Sequence, residues 1–327
     1  MARITTTDSW TIEGAQMDAL DLNLAQQHIT KAQKEGRYSG PTDPLAYLRY
    51  NQLVIDSTSG LVPTLAGMLA FGTDPERWLR ASCGIDIAEF SSNTPTTKSL
   101  KFIDQVRGSI FTVVDRATDI LWARTSHDYQ FEGAQRVERH AYSQVVLREL
   151  TVNALCHRDW SNTSSRVRIQ IFPNTIEWIS PGGLPDGVTV DNLLDAQSSR
   201  NPALVNVMFQ AHYIEGLGLG FDSVYSALAE DGVEPPLITP SLTSLTIRVM
   251  AKPIGANQKQ LGPTSQDRQR AILSLIAQQG SVTISDLEKA MGIIRRTIQR
   301  DLQSLLSQGD IQVLGATNNR HYQIRRK

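Results

Sequence analysis

The sequence predicts an α+β protein in which helices pack on an antiparallel sheet and a separate small domain follows at the C-terminus. Three observations lead to this fold class. Apolar and polar residues alternate over 166–172, and a Pro-Asn turn leads into a second β-like stretch at 175–179, the pattern of a hairpin with one buried face. Stretches with helical periodicity lie on both sides of this hairpin. A proline- and glycine-containing stretch, 251–266, then interrupts all periodicity.

The N-terminal region, 1–125, is predicted to be an α/β extension. Apolar residues recur with helical spacing around 21–34, 43–53 and 100–123. An alternating stretch at 84–90 predicts a strand.

Residues 126–250 are predicted to form the main layer of helices on a sheet. A long helical pattern covers 137–156, and Asn-Pro at 201–202 opens a helix to 210, because proline is favoured in the first helical turn. A further helix is predicted at 220–230 and a final strand at 244–250. Helices around an antiparallel pair are typical of a two-layer sandwich.

The stretch 251–266 is predicted to be a linker, and 267–327 a domain of its own. The linker has two prolines and two glycines and no apolar face. After it the sequence predicts three helices and two β-like pieces, at 271–280, 285–291, 293–309, 310–314 and 321–324. Helix, helix, glycine turn, helix and hairpin is the order of a winged helix-turn-helix domain.

Composition excludes several classes of protein. Apolar residues make up 40% and charged residues 20% of the 327, which favours a globular chain over a disordered one. No run reaches the roughly 18–20 apolar residues that span a bilayer, and the N-terminus lacks a signal-peptide pattern. We therefore expect a cytoplasmic protein with no membrane partner. Cys83 and Cys156 stand alone, which argues against a disulfide framework or a zinc site.

Charge is unevenly distributed along the chain. The whole chain carries a formal charge of −1, but 264–327 contains ten basic against five acidic residues, a net +5. A basic segment on an acidic chain predicts a polyanionic partner for that segment. A solvated surface is the alternative.

One helical face in the middle region carries a stripe of chemically active side chains. Glu149, Asn153 and His157 follow one another at intervals of four residues, so they share one face of a helix. A carboxylate, an amide and an imidazole in one stripe can serve as base, metal ligand and phosphate contact. The alternative is an ordinary polar outer face.

Two glycine clusters follow the stripe. One comes directly after a predicted strand, with Ser180, Gly182 and Gly183, and the other, 216–220, comes directly before a predicted helix. Glycines let backbone amides approach an anion, and a helix N-terminus favours phosphate. Each cluster alone is equally compatible with a turn or a helix cap.

Together these motifs resemble the N, G1 and G2 boxes of the GHKL ATPase fold that gyrase, histidine kinases and MutL share. Residues 148–161, 176–188, 198–209 and 212–224 further resemble the divergent GHKL-like domain of RecG-related bacterial transcriptional regulators. In that family a Schlafen/AlbA-type domain comes first and a helix-turn-helix domain last. Residues 60–72 are similar to the segment that follows the AlbA-type domain, so the resemblance covers most of 45–327.

The resemblance implies a site for ATP or a related nucleotide with Mg²⁺. Glu149 is then the catalytic residue that activates water, and Asn153 holds the metal between phosphates. The implied nucleotide-binding residues are Asn153, His157, Ser180, Gly182, Gly183, Arg200, Asn201, Gly216, Gly218 and Gly220.

The sequence departs from the family in two places. The AlbA-type domain is expected to be reduced to its tail, because little chain precedes residue 45. Ser180 stands where active GHKL enzymes have the aspartate that receives the adenine amino group. A helicase motor is excluded, because the chain contains no GxxxxGK[ST] phosphate loop.

Residues 292–302 resemble the recognition helix of winged-helix regulators. This implies contacts with double-stranded DNA from the exposed sides of the helix, through Arg295, Arg296, Thr297, Gln299 and Arg300. One such helix spans too little DNA for tight specific binding, so a homo-oligomer is expected. A winged helix that binds protein is the alternative.

Three functions remain open at this point. The first is a DNA-binding transcriptional regulator with a nucleotide-sensing GHKL-like domain. The second is a Mg²⁺-dependent, slow ATPase of DNA or defence metabolism. The third is a degenerate GHKL fold kept as an oligomerisation scaffold. Ser180 disfavours the second, and the intact Glu149 and Asn153 disfavour the third.

Overall fold

The structure is a computed structural model. It describes residues 6–58, 60–79, 83–125, 127–132, 135–185, 187–190, 192–193, 199–215, 220–252, 265–291, 293, 295–315 and 320–325, with the backbone alone over 127–132, 135–139 and 265–267. The chain divides into two compact units. One comprises 1–227 with 236–254, and the other 228–235 with 255–327.

The first unit begins with a small group of helices around a hairpin. The elements are α1 (Leu22–Lys34), α2 (Pro44–Tyr50), β1 (Val54–Ser57), β2 (Gly60–Pro63), α3 (Leu65–Phe71) and α4 (Pro75–Leu79). Both predicted helices are confirmed, and each begins at an aspartate. The Asp21 carboxylate accepts from the amides of Asn23 and Leu24, and the Asp43 carboxylate accepts from that of Ala46.

The next stretch mixes strands and helices more finely than the sequence predicts. Its elements are β3 (Ile85–Phe90), β4 (Leu100–Val106), α5 (Ile110–Arg124), β5 (His127–Glu132), β6 (Gln135–His140) and α6 (Gln144–Cys156). The strand at 84–90 is confirmed. The helices predicted at 100–123 and 137–156 are wrong in their first parts, which are β4 and β6.

Local capping explains both errors. Gly108 has φ +127°, and Ser109 then caps α5 by accepting from the amide of Thr112. Ser143 caps α6 in the same way, through the amide of Val146. Each helix therefore begins at its serine, and the apolar residues before it belong to strands.

The rest of the first unit follows the predicted order. Its elements are β7 (Val167–Ile171), β8 (Thr175–Pro181), α7 (Pro202–Gln210), α8 (Gly220–Glu230), β9 (Leu237–Pro240) and β10 (Ser244–Met250). The last residues of α8, 228–230, belong to the second unit. The six-stranded sheet has the order β4-β3-β7-β8-β10-β9. All neighbours are antiparallel except β3 and β7, which run parallel.

One face of this sheet is the core. Ile87, Ile169, Trp178 and Ile247 lie in register across four strands and are buried. Helices α5 and α6 pack on this side, α5 against β3 and β4 and α6 against β8. The Trp178 indole donates to Thr151 Oγ1 of α6 at 3.1 Å. The α+β class is confirmed, and the N-terminal region contributes two strands to the same sheet.

The second unit contains three helices and a hairpin. These are α9 (Ser265–Gln279), α10 (Ile284–Met291), α11 (Arg295–Gln308), β11 (Ile311–Leu314) and β12 (His321–Ile324). Their apolar sides form one core, with Ile276, Leu287, Ile298, Leu302 and Tyr322 among its buried residues. The predicted helix-turn-helix and wing strands are confirmed. Most of the predicted linker, 253–264, and the wing turn, 316–319, lie outside the described residues.

Over the part of the chain that is described, no helix is both long and apolar enough to cross a bilayer.

Candidate functional site

The polar stripe of α6 faces the start of α8. A Cβ atom added to Gly220 would lie 3.0 Å from Glu149 Oε2 and 3.6 Å from Asn153 Nδ2. A side chain at Gly220 would therefore require Glu149 or the backbone to shift by a few tenths of an ångström. The structure thus brings together Glu149, Asn153 and Gly220, which the sequence placed in one site. Gly216 and Gly218 lie outside the described residues.

Glu149 is a buried carboxylate with a cationic neighbour. Its residue is 2% exposed, and Arg148 Nη2 donates to its Oε1 at 3.1 Å. Burial raises the pKa of Glu149, the hydrogen bond and charge of Arg148 lower it, and the charge of Glu215 raises it further. A carboxylate of raised pKa accepts a proton more readily than an exposed one.

Asn153 presents an unsatisfied amide to the same space. Its Nδ2 is buried and has no hydrogen-bond partner among the described residues. Leaving a buried donor unpaired is costly. Since the amide can turn, the same position can offer Nδ2 to a phosphate oxygen or Oδ1 to a cation.

His157 is the C-cap residue of α6, one turn beyond Asn153. Its side chain meets solvent, yet the protein around it, and then the charge of Arg200, lower its pKa to about 4. The imidazole is neutral at pH 7, so it can both donate and accept a hydrogen bond.

The glycine cluster after β8 packs against the end of α6. Gly182 has φ +98°, and a Cβ there would lie 2.5 Å from both Asp159 Cβ and Arg200 Nη1. Arg200 Nη2 donates to the Gly183 carbonyl at 2.6 Å. The predicted residues Gly182, Gly183 and Arg200 are therefore neighbours, and the charge of Arg200 acts on His157.

Two of the predicted ligand contacts, Ser180 and Asn201, make buried hydrogen bonds within the protein. Ser180 is 8% exposed, and its hydroxyl donates to the Ala154 carbonyl at 2.7 Å. Asn201 is completely buried, and its Nδ2 donates to the carbonyls of Cys156 and Arg158, each at 2.8 Å. These bonds tie β8 and the start of α7 to the end of α6.

The sequence analysis assigned no role to two arginines of this region, Arg148 and Arg158. Arg158 is completely buried, where its Nη2 donates to the carbonyls of Asn162 and Ser165 and its guanidinium lies 4.3 Å from the Trp160 ring centroid. Burial lowers its pKa to about 10. Arg158 thus holds the turn after α6 through Nη2, while its Nε and Nη1 are buried without a hydrogen-bond partner among the described residues. Arg148 could have been noticed in the sequence, because it directly precedes Glu149.

Sequence reasoning also missed Arg37 and Glu215, which form an ion pair of 2.9 Å. The position of Glu215, directly before the glycine run, was a signal. Nothing in the sequence links Arg37 to it, because the two residues are 178 positions apart.

In the second unit, α11 presents part of the predicted basic face. Arg295 has a 57% exposed side chain and donates to Glu288 Oε2 at 3.3 Å. Gln299 is exposed, and Arg296 and Arg300 are half-buried. The prediction that Thr297 is exposed is wrong, since it is 8% exposed and lies beside the buried Ile298.

Part of the basic excess of this unit is used internally. Arg268 of α9 donates to Asp301 of α11 at 2.8 Å, with side chains 11% and 1% exposed. The buried side of α11 therefore includes Thr297 and Asp301 beside the apolar stripe, which narrows the surface that can meet a partner.

Comparison with known protein families gives two matches. Residues 164–249 match the family described as "Putative ATP-dependent DNA helicase recG C-terminal", an HATPase domain. Residues 268–316 match the DeoR-like helix-turn-helix domain. The first match contains Gly182, Gly183, Arg200 and Gly220, and it begins after α6, which carries Glu149 and Asn153.

Comparison with solved structures finds a similar fold in the DIP2311 protein from Corynebacterium diphtheriae. The TM-score is 0.65 at 18% sequence identity, and the alignment covers 99% of this chain and 65% of that one. This chain thus spans less than two thirds of that protein's length, and the likeness concerns the fold alone. Comparison with curated proteins gives no match.

Proposed function

Because the chain joins a RecG C-terminal-like HATPase domain to a DeoR-like helix-turn-helix domain, we propose that it is a DNA-binding transcriptional regulator that senses a nucleotide. The helix-turn-helix match supports DNA binding, and the HATPase match supports nucleotide binding. The nucleotide is ATP or a related compound.

The meeting of α6 and α8 is the observation that carries the nucleotide proposal. The unpaired Asn153 Nδ2 lies beside the backbone of Gly220, where α8 begins. A helix N-terminus attracts phosphate, and an unpaired buried amide gains a partner when a phosphate oxygen arrives. A phosphate group at this point would satisfy both.

The donor set fits Mg²⁺ bound together with phosphates. No group of three or more His, Cys, Asp or Glu that could hold a metal occurs among the described residues. Mg²⁺ at nucleotide sites is commonly held by one or two protein oxygens and by substrate phosphates. Asn153 Oδ1 would hold the ion, which when bound neutralises phosphate charge.

Glu149 favours slow hydrolysis as a second function of the same site. Its raised pKa makes it a better proton acceptor, and Arg148 counteracts its protonation. Glu149 would orient a water molecule and take its proton, while Asn153 and Gly220 keep the phosphate in place.

The other end of the stripe presents donors where related enzymes present a carboxylate. Arg200 lies against Gly182 and Gly183, its charge acts on the neutral His157, and the Ser180 hydroxyl donates to the Ala154 carbonyl. We therefore expect weaker preference for adenine than in a GHKL enzyme with an aspartate there. Parallel titrations with ATP and GTP measure this preference.

Calorimetry with ATP, with and without Mg²⁺, tests the nucleotide proposal. Asn153→Ala is expected to abolish Mg²⁺-dependent binding, and Glu149→Ala to keep binding and remove turnover. Asn23→Ala, at an exposed asparagine of α1, is the matched control. Absence of heat with ATP and GTP at millimolar concentration would favour the scaffold alternative.

Selection from a random duplex pool tests the DNA proposal. If Arg296, Gln299 or Arg300 contacts a base edge, its replacement by alanine is expected to weaken the binding free energy for DNA by about 1–3 kcal/mol and to relax specificity at one base pair. The control is Gln308→Ala in the last turn of α11, since recognition helices read bases through their N-terminal part. No enriched motif and no salt-dependent binding would assign the domain to a protein partner.

Two copies of the chain on a repeated or palindromic site would extend the readout beyond one helix. Light scattering of the protein alone and with the selected duplex measures this stoichiometry. One copy on a single half-site would contradict the homo-oligomer.

A further inference from the structure

A single arginine holds the backbone that leads from α7 towards α8. Arg37 Nη1 donates to the Ile214 carbonyl at 2.8 Å, and Arg37 Nη2 donates to Glu215 Oε2 at 2.9 Å. Its guanidinium also lies 4.9 Å from the centroid of the Phe209 ring. The side chain is only 14% exposed, so its donors are directed at segment 212–215.

His212 extends this contact to a second residue of the N-terminal region. Arg37 Nη2 lies 2.9 Å from His212 Nε2, and His212 Nδ1 lies 3.1 Å from Glu35 Oε2. Arginine can only donate, so Nε2 accepts and the ring proton is on Nδ1, which donates to Glu35. His212 has φ +68°, a conformation that is uncommon for a residue with a side chain. Several contacts thus fix one strained position.

Segment 212–215 is electrostatically coupled to the candidate nucleotide site. Burial is the largest cause of the raised pKa of Glu149, and the charge of Glu215 adds a smaller rise; the hydrogen bond from Arg37 is the largest cause of the lowered pKa of Glu215, to which the charge of Arg148 adds the smallest part. Five residues after Glu215, the Gly220 backbone reaches Glu149 and Asn153. Arg37 therefore holds 212–215, and the next described residue, Gly220, lies at the candidate site; residues 216–219 lie outside the described part of the chain.

We propose that Arg37 is a positioning residue of the candidate nucleotide site: by holding segment 212–215 it sets how closely the Gly220 backbone approaches Glu149 and Asn153. This rests on the proposed nucleotide function. Arg37 touches neither Glu149 nor Asn153 in any hydrogen bond or ion pair of the described residues. Its effect on ligand binding is therefore indirect.

Binding of ATP in the presence of MgCl2 to the full chain tests the proposal. Arg37→Ala is expected to raise the Kd for ATP roughly tenfold, which is in the range for residues that act without touching a ligand. The Kd of Arg37→Lys should lie between those of the wild type and Arg37→Ala, because an ammonium group keeps the charge but lacks the planar, forked donors of a guanidinium. Arg49→Ala, which removes the exposed Arg49–Asp56 ion pair of the same region, is the control. Equal Kd values for the wild type and Arg37→Ala overturn the proposal.

Glu215→Gln tests the same interaction from its other side, in case Arg37→Ala does not fold. Glu215 is 46% exposed, so this variant weakens the ion pair without emptying a core position. Its Kd should rise in the same direction, and the double variant should be no weaker than Arg37→Ala alone, since both remove one interaction. Independent, additive losses would contradict a shared interaction.

Hydrogen exchange separates this proposal from the nucleotide proposal. Without any ligand, Arg37→Ala should speed amide exchange in peptides that cover 220–230, and Arg49→Ala should not. If the wild type binds no nucleotide, the proposed function fails. Unchanged exchange at 220–230 then overturns the role of Arg37 as well, whereas faster exchange supports its control of the Gly220 backbone.

Discussion

At the scale of single residues, the site depends on polar groups that the fold leaves in costly states. Glu149 is a carboxylate with a raised pKa, and Asn153 Nδ2 is buried without a partner among the described residues. Neither state improves stability. Such groups persist at sites where a ligand or a proton satisfies them.

Glu149→Gln is expected to stabilise the chain at neutral and alkaline pH. Burial raises the pKa of Glu149 in the folded state above its ordinary 4.5. Its contribution to stability is therefore fully present below about 4.5 and is lost as pH rises through the folded pKa. The variant avoids this loss, so its melting temperature should exceed that of the wild type at pH 8, with the difference shrinking towards pH 4.5.

Thermal melts over this pH range measure the effect, with the exposed Glu13→Gln as the control. A difference that stays constant with pH would mean that Glu149 is not held at a raised pKa.

Gly220→Ala is expected to weaken nucleotide binding without unfolding the chain. The new Cβ would lie 3.0 Å from Glu149 Oε2, so the carboxylate or the start of α8 must shift by a few tenths of an ångström. Alanine is also the better helix former, by about 1 kcal/mol. Calorimetry should give a weaker Kd for ATP with Mg²⁺ at an unchanged or higher melting temperature. Unchanged affinity would remove Gly220 from the site.

At the scale of elements, the sequence predicts features that lie within one helix or strand, and misses contacts between residues that are distant in the sequence. The stripe on α6 follows from spacing within one helix, and the helix at 201–210 from its Asn-Pro start. The strands β4 and β6 were missed because the caps at Ser109 and Ser143 were overlooked within long apolar stretches. The contacts of Arg37 could not be predicted from the sequence, since Arg37 meets Ile214 and Glu215 only in the folded chain.

The buried ion pair between α9 and α11 yields a prediction at this scale. Asp301→Ala leaves Arg268 without its carboxylate in a side chain that is 11% exposed. Breaking a buried pair from one side costs about 3 kcal/mol or more. Hydrogen exchange over 295–308 should become faster in this variant and stay unchanged in Asp310→Ala, at an exposed position. Equal exchange in both variants would show that the pair does not hold α11.

At the scale of the whole molecule, one chain combines an HATPase match with a helix-turn-helix match. The HATPase match contains Gly220 of the proposed nucleotide site, whose Glu149 and Asn153 lie on α6 just before the matched residues, and the helix-turn-helix match contains the basic side of α11. If a nucleotide regulates DNA binding, the two affinities are coupled, and each ligand changes the affinity for the other by the same factor. That reciprocity separates a sensor from two unrelated sites.

The most direct measurement is the affinity of the full chain for its selected duplex, by fluorescence anisotropy, with and without ATP and Mg²⁺. The account predicts that nucleotide changes the Kd for DNA by roughly fivefold or more in the wild type, and leaves it unchanged in Asn153→Ala. The same Kd for DNA with and without nucleotide, in a wild-type chain that binds both, would contradict nucleotide sensing.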